Sequence, residues 1–311
     1  MEQHNATSVD TFILLGFSHI PHLRLFLICI FSYLYVFTLL WNSLIILLII
    51  NDSQLHTPMY FFLANLSFID VISPSITMPK MITDLVSKKG VIPYRSCIAQ
   101  LCLLLTCVAT ESNVLSIMAF DRYVAICKPL QYTKIMSYKM CSKLAVGSWL
   151  IGSFFSIMLS LLTNSLDFCG PNEINHFFCD ILPLFSLACS DITLSVTLLY
   201  ASDIINGIIN FVVILSSYVS IANAIKKIKS QEGRKKAILT CSSHIMVVCM
   251  YYGTTIVTYL HTIKSYSESK DRTAAIIYTT VTPLLNPLIY SLRNNDVKKA
   301  LKKVFSNRYP K

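Results

Sequence analysis

Charged residues are scarce in this chain, and the short motifs of soluble nucleotide-binding and hydrolytic enzymes are missing from it. Only 14% of its 311 residues are charged, whereas a soluble domain carries about 25%. There is no Walker loop, no G-x-S-x-G elbow and no Cys/His spacing of a zinc site. No basic start followed by an apolar run opens the chain, so no cleavable signal peptide is predicted. With 54% hydrophobic residues and a mean hydropathy of +0.59, the sequence predicts a polytopic membrane protein.

Seven stretches are long and apolar enough to cross a bilayer, which takes about 20 residues. They are 25–50, 58–82, 97–122, 141–163, 196–225, 237–260 and 273–292. Backbone in lipid must satisfy its own hydrogen bonds, so each stretch is predicted to be a helix. We predict an all-α membrane protein with a seven-transmembrane helical bundle over residues 25–292. Internal repeats of the kind that transporters carry are not seen, which disfavours a proton- or cation-coupled transporter.

Lys and Arg are distributed unevenly, and this predicts the orientation. The stretches 122–143, 226–236 and 293–311 hold 18 of the 26 basic residues, and residues 163–195 hold none. The C-terminus is therefore predicted to be cytoplasmic, with residues 1–24 forming an extracellular tail. The net charge of +10 is therefore concentrated on the predicted cytoplasmic face. This location favours contact with anionic lipid and an acidic partner protein and argues against a nucleic-acid-binding role. A glycosylation sequon at Asn5 agrees with an extracellular tail.

Four of the eleven cysteines fall on the predicted extracellular side, where disulfides persist. They are Cys97, Cys169, Cys179 and Cys189. Four cysteines allow three pairings, and spacing does not choose among them. Two disulfides would order the long loop before the fifth span into a lid.

Two carboxylates, Asp70 and Glu111, lie inside predicted spans at similar depth, near Asn42 and Asn286. Ionisable groups in spans are rare and often functional. Two like charges at one depth indicate that one is protonated or that a cation lies between them. A sodium or proton site and a hydrogen-bonded cluster that holds helices together are both open interpretations. No pair of histidines lies deep in a span, and an intramembrane enzyme is not predicted.

The last span and the tail carry two further patterns. Pro283 and Pro287 each remove a backbone hydrogen bond, which favours either a static kink or a hinge. In the tail, apolar residues recur at helical spacing with lysines opposite, which predicts a short amphipathic helix on the cytoplasmic membrane face within 293–311. The apolar positions are Val297, Ala300, Leu301, Val304 and Phe305, and the lysines are Lys298, Lys299, Lys302 and Lys303.

A carboxylate and a guanidinium stand side by side where the third span ends, in "MAFDRYVAIC". An ion pair at a membrane edge adds little net stability, because both groups lose water. We therefore interpret Asp121 and Arg122 as a pair that fixes the relative position of helices or switches between two conformations. A pair with a purely structural role is the alternative.

Several motifs together resemble the odorant-receptor branch of the rhodopsin-like G-protein-coupled receptors. They are "MAFDRYVAIC" with "KPLQY", "LHTPMYFFLANLSFID", "KKAILTCSSH" and "PLLNPLIYSLRN", in order and each at the expected span. The resemblance covers about residues 12–305. It implies a plasma-membrane receptor that binds small odorants and activates a heterotrimeric G protein of the stimulatory olfactory type, which raises cyclic AMP. A chemosensory receptor with a role outside olfaction is the alternative.

The resemblance also implies roles for individual residues. Arg122 would pair with Asp121 at rest and face the G protein when active, with Tyr218 and Tyr290 moving toward it. The implied switch residues are Asp121, Arg122, Tyr123, Tyr218, His244, Asn286, Pro287 and Tyr290. The implied disulfides are Cys97–Cys179 and Cys169–Cys189. Asp70 and Glu111, near Asn286, would form a sodium or water site, and no other cofactor is implied.

By the same resemblance, the ligand pocket lies in the outer half of the bundle, between spans three, five, six and seven. The candidate residues are Leu104, Leu105, Val108, Ala109, Ser202, Asp203, Asn206, Tyr252, Thr255, Tyr259, Tyr278 and Thr279. This mostly apolar lining suits a small hydrophobic molecule with one hydrogen-bonding group. Asp203 has two interpretations: it faces the pocket and favours an amine, or it hydrogen-bonds to a neighbouring helix or the lid.

Overall fold

A computed structural model describes residues 9–18, 20–259, 268–293 and 295–306. The predicted glycosylation site at Asn5 lies outside these residues. Tyr259 ends a helix, but its side chain is outside what is described.

Helices make up almost all of the described chain. In order they are α1 (Arg24–Asn51), α2 (Pro58–Ser87), α3 (Tyr94–Cys127), α4 (Tyr132–Ile135), α5 (Tyr138–Asn164), α6 (Ile181–Leu187), α7 (Thr193–Asp203), α8 (Ile209–Lys227), α9 (Gln231–Tyr259), α10 (Glu268–Ile276), α11 (Thr282–Arg293) and α12 (Asn295–Ser306). Short π-helical segments at Ile204–Ile208 and Ile277–Val281 join α7 to α8 and α10 to α11. Single 3-10 turns lie at Pro21–Leu23, Ser53–Leu55 and Pro129–Gln131.

The predicted spans correspond to α1, α2, α3, α5, α7–α8, α9 and α10–α11. In the described residues, six spans pass a test of length and apolar composition by themselves. The seventh passes only as a bent pair, Arg272–Ser291 with Asp296–Lys303, at an angle of 89°. Its outer end is polar, in "ESKDRT", which leaves a shorter apolar stretch than the other spans have. The prediction of a seven-transmembrane helical bundle is confirmed.

The centre of the bundle is α3, which packs on α2, α5 and α8. Its inward side chains, such as Leu115, Met118 and Val124, are buried in one large apolar cluster. The helices α3 and α5 approach closely at Gly152, where a β-carbon would lie 2.5 Å from the Thr110 hydroxyl. Large apolar side chains such as Leu40 face outward, as expected of a surface that lipid covers.

The structure adds a small sheet that hydropathy did not predict. The strands β1 (Thr11–Leu14), β2 (Val91–Pro93) and β3 (Glu173–Ile174) lie in the order β2-β1-β3. The central strand pairs antiparallel with β2 and parallel with β3. Strands of two to four residues are too short for an alternating pattern to be visible, and their partners are distant in sequence. The sheet ties the residues before α1 to the loop before α7, and Phe12 is fully buried there.

Two disulfides hold this loop as a lid on the outer end of the bundle. Cys97–Cys179 joins the first turn of α3 to the loop, and Cys169–Cys189 closes the loop on itself. These are the pairings that the resemblance implies. Gln100 adds a second link, because its amide nitrogen donates to the Ile76 carbonyl and its amide oxygen accepts from the Cys179 amide, both at 2.9 Å.

The tail forms an amphipathic helix, α12, but part of its apolar face contacts protein. Val297 and Ala300 are buried in the main apolar cluster. Tyr60 donates to the Asp296 carboxylate at 3.4 Å, and Lys303 lies 3.7 Å from the Asp52 carboxylate. The helix is therefore fastened to the cytoplasmic ends of α1 and α2. The side chains of Val304 and Phe305 are outside the described part.

Candidate ligand cavity and cytoplasmic switch

A cavity of about 360 Å³ lies between α3, α5, α7–α8 and α9. It gathers predicted ligand-binding residues from the third, fifth and sixth spans. Those that line it are Leu105, Val108, Ala109, Ser202, Asp203, Asn206, Tyr252 and Thr255. The predicted walls from these three spans therefore meet around one space.

None of the described residues of the seventh span lines this cavity, so the predicted contribution of that span to the ligand pocket stays a prediction. Leu104 and Tyr278 instead line a separate space of about 20 Å³ beneath the lid. The Thr279 hydroxyl donates back to the Ala275 carbonyl at 2.7 Å, and Thr279 lines neither space. Tyr251 on α9 lines the larger space and contacts the seventh span, because its ring stands edge-on to Tyr278 and its hydroxyl donates to the Val108 carbonyl of α3 at 2.9 Å. Leu105, Val108 and Thr255 line both spaces and so lie between them.

The fourth wall comes from α5, through Phe155, Ser156 and Leu159, which sequence reasoning missed. Apolar periodicity on α5 does not distinguish a lipid-facing side from a cavity-facing side. A pair of hydrogen bonds shows the contact, since Thr106 on α3 donates to Ser156 at 2.8 Å and Ser156 donates to the Cys102 carbonyl.

A polar network contributes to the cavity lining; Tyr252 and Asn206 in it were predicted, and Ser112 was missed. The Ser112 hydroxyl lies 3.2 Å from the Tyr252 hydroxyl, and both lie near carbonyl oxygens of the π-helical segment, at Asn206 and Gly207. The Asn210 amide donates to Ser112 at 3.2 Å. Ser112 follows Val108 by four residues, so helical spacing on α3 was a usable signal for it. The π segment had no signal in the sequence.

A further cavity of about 410 Å³ lies between residues 14–18 and the outer ends of α1 and α2. Arg24, Asp84 and Lys88 are among its lining residues. None of its lining residues is a predicted ligand-binding residue or belongs to α9.

The buried polar cluster brings together Asp70, Glu111, Asn42 and Asn286. Asn286 donates to both carboxylate oxygens of Asp70 at 3.1 Å, and Asn42 donates to the carbonyls of Thr38 and Pro283 at 3.0 Å. Tyr278 reaches a Glu111 oxygen at 3.5 Å.

Several buried oxygen atoms of this region have no hydrogen-bond partner among the described residues. They belong to Asn42, Ser73, Glu111 and Asn286. An all-oxygen set with two carboxylates suits a hard cation or ordered water. These residues therefore fit the sodium or water site that the resemblance implies.

At the cytoplasmic end, the expected pair between Asp121 and Arg122 is not formed. Asp121 accepts from the Tyr132 hydroxyl of α4 at 2.8 Å, and Arg122 donates to the Thr240 carbonyl of α9 at 2.9 Å. Consecutive helix residues do not face each other, which explains why the two side chains point to different helices. Arg122 thus holds the third span to the sixth in this conformation.

The other switch residues lie around the same helices. The Tyr218 hydroxyl lies 2.7 Å from His244 Nδ1, and His244 Nε2 lies 3.1 Å from the Leu115 carbonyl. Tyr290 is buried close enough to Arg122 to interact with it electrostatically, and its hydroxyl makes no well-aligned hydrogen bond among the described residues. Pro287 lies inside α11, one residue after Asn286.

Tyr123 is turned toward Lys128, whose ammonium lies 5.6 Å from the ring centre. The contact is a cation–π interaction at the cytoplasmic end of α3. Among the predicted switch residues in the described part of the chain, the hydrogen bond between Tyr218 and His244 is the one that joins two of them directly.

Comparisons with known proteins agree with this geometry. A family model described as olfactory receptor matches residues 31–308. Olfactory receptor 5G26 of Mus musculus is 46% identical over 310 residues, covering 99% of this chain and 97% of the relative. Olfactory receptor 13A1 of Homo sapiens is 45% identical over 301 residues, covering 97% and 92%. Olfactory receptor 1f45 of Rattus norvegicus is 43% identical over 310 residues, covering 100% and 99%. The chain belongs to the olfactory receptor family of G-protein-coupled receptors, and it is a multi-pass membrane receptor for odorants and not an enzyme.

Proposed function

We propose that odorant occupies the 360 Å³ cavity and acts on the cytoplasmic end through α9. The proposal rests on one observation, which is that α9 both lines the cavity and bonds to Arg122 at the cytoplasmic end. Tyr252 and Thr255 line the cavity, and the Thr240 carbonyl of the same helix accepts the hydrogen bond of Arg122. Thr240 and Tyr252 are about 12 residues apart, which is about 18 Å along a helix.

The ligand is a small, mostly apolar molecule. The cavity walls are dominated by aliphatic and aromatic side chains, and hydroxyls of Ser112, Ser202 and Tyr252 supply a few hydrogen-bonding groups. Such a lining favours one polar group on an otherwise apolar ligand.

Activation moves the cytoplasmic end of α9 away from α3. The bond from Arg122 to Thr240 and the bond from His244 to the Leu115 carbonyl both hold these helices together, so both break in that movement. An odorant drives the change only by binding the open state more tightly than the closed one. Released Arg122 then faces the G protein, for which we propose the stimulatory olfactory type and a rise in cyclic AMP.

The receptor lies in the plasma membrane with the disulfide-bonded end and the N-terminal tail outside. Exposed lysines and arginines near the end of α8 and the start of α9 suit an acidic surface of the G protein. Lys298, Lys299 and Lys302 of α12 are exposed and face the anionic inner leaflet. Asn5 carries a glycan, and Asp70 with Glu111 and Asn286 binds a sodium ion or water.

Cyclic AMP in cells that express the chain with that G protein tests the proposal. Leu105→Trp fills the cavity from α3, whereas Leu103→Trp adds the same bulk on the exposed side of that helix. Arg122→Ala removes the switch residue, and Lys134→Ala removes an exposed positive charge nearby. Surface labelling checks that all four variants reach the plasma membrane.

We expect a dose-dependent response to odorant pools in the parent chain and in both controls. Leu105→Trp and Arg122→Ala should each lose it at equal surface level. An unchanged response in Leu105→Trp would place the ligand outside this cavity. An unchanged response in Arg122→Ala would remove Arg122 from the path to the G protein.

A further inference from the structure

Asp203 is the only residue with a charged side chain among those that line the 360 Å³ cavity in the described part of the chain. It ends α7, just before the π-helical segment, and its side chain is exposed. It lies about 15 Å along the helix from Thr193, where this span begins. An ionisable group at such a depth is expensive and is usually functional.

No contact in the structure explains why a carboxylate stands there. In the described residues, Asp203 accepts no hydrogen bond from a neighbouring helix or from the lid, and it forms no ion pair. The contact to a helix or the lid that was one interpretation of the sequence is therefore not made. A carboxylate at this depth of a membrane span without a partner is strongly unfavourable, so a partner from outside the chain would stabilise it.

Aromatic rings share the cavity with this carboxylate. Tyr200, Phe211, Tyr251 and Tyr252 all line it. The Tyr252 ring centre lies 5.2 Å from that of Phe211 and 5.1 Å from that of Tyr251. The faces of aromatic rings attract a cation, most of all where water is excluded. Carboxylate and rings together favour positive charge in a cavity whose remaining surface is mostly apolar.

We propose that the preferred ligands of this receptor are protonated amines, with the ammonium group against Asp203 and the hydrocarbon part in the apolar remainder. The inference rests on the proposed function, because it names the ligand class of the same cavity. By volume, the cavity suits a ligand of roughly a dozen non-hydrogen atoms, at the ~30 Å³ that one molecule of liquid water occupies. A charge-assisted hydrogen bond favours an amine over its matched alcohol by about tenfold to a hundredfold.

The test compares matched probes on matched variants. The probes are the primary alkylamines from butylamine to octylamine and 2-phenylethylamine, each beside its alcohol. Asp203→Asn keeps the shape and removes the charge, and Asp203→Glu keeps the charge. Asp167→Asn removes an exposed negative charge from the extracellular loop and serves as the control. Each is assayed for cyclic AMP at equal surface level and, after purification, for ligand-induced change in thermal unfolding.

We expect amines to act at about tenfold to hundredfold lower concentration than alcohols in the parent chain and in Asp167→Asn. Asp203→Asn should lose this preference, and Asp203→Glu should keep part of it. In the absence of any G protein, amines should raise the thermal unfolding temperature more than alcohols in the parent chain and in Asp167→Asn, and this difference should be lost in Asp203→Asn. Stabilisation by amines with no cyclic AMP would support the amine site and contradict the proposed coupling.

Three results would overturn the inference. Alcohols could act as well as amines, which would mean that Asp203 is neutral and donates a hydrogen bond. Asp203→Asn could keep the amine preference. Amines could fail to stabilise the purified parent chain, which would exclude an amine site whatever the signalling assay shows.

Discussion

His176 makes the lid sensitive to acid, and the size of the effect follows from its surroundings. It lies in the extracellular loop, is fully buried, and its Nδ1 is 3.1 Å from the Phe178 carbonyl. Its Nε2 has no partner among the described residues. Burial, together with the positive charge of Arg272, lowers the pKa of His176 from 6.5 to about 4. Arg272 comes from α10, donates to Asn175 at 2.5 Å and stacks on Phe177 at 5.4 Å.

The sign of the effect follows from proton binding. The folded lid holds His176 neutral, and the opened lid binds a proton at the ordinary pKa. Stability is therefore complete above pH 6.5, falls as the pH drops toward 4, and falls no further below that. Relative to pH 7, the loss is about 1 kcal/mol at pH 5.5 and about 2 kcal/mol at pH 4.5. The opened fraction therefore rises by roughly one order of magnitude at pH 5.5 and by between one and two at pH 4.5.

Hydrogen exchange read by mass spectrometry measures this opening in the purified receptor. Amides of residues 173–180 should lose protection by these factors as the pH falls, after correction for the intrinsic exchange rate. His176→Gln keeps a hydrogen-bonding side chain but does not titrate, so its protection should stay constant with pH. His22→Gln, at an exposed site on the same face, should behave as the parent chain. Equal protection at pH 7 and 4.5, or the same loss in His176→Gln, would refute the reasoning.

Three further predictions concern packing, the cytoplasmic end and the lid. Gly152→Leu should lower the free energy of unfolding by about 1 to 3 kcal/mol, because its β-carbon would collide with α3. Gly147→Leu points into open space and should leave the free energy of unfolding unchanged, and thermal unfolding of the two variants tests this. Tyr132→Phe removes the hydrogen bond that Asp121 accepts, and it should cost about 1.5 to 3 kcal/mol in the same assay; an unchanged midpoint would mean that water replaces the hydroxyl. Cys189→Ser opens a disulfide between residues 20 positions apart, so we expect a loss of about 3 kcal/mol and lower surface labelling; full surface level and full stability would contradict this.

The candidate cavity was partly predictable. Leu105, Val108 and Ala109 lie on the inner side of α3, and helical spacing carries that information. Thr279 does not line the 360 Å³ cavity, and its hydroxyl bonds within its own helix, so its place in the ligand pocket stays a prediction. Which helices line the same cavity depends on how the side chains of residues distant in sequence pack against each other. A local sequence pattern does not contain this information.

The sequence by itself determined the features that depend on local composition. Apolar length sets the spans, Lys and Arg bias predicts the orientation, and the order of motifs identifies the family, because each acts within a short window of chain. Tertiary structure decided the features that depend on what two distant segments present to each other. Adjacent in sequence, Asp121 and Arg122 bond to α4 and α9 because neighbouring helix residues point in different directions. The carboxylate of Asp203 likewise faces a cavity without a protein partner only because four helices meet around it.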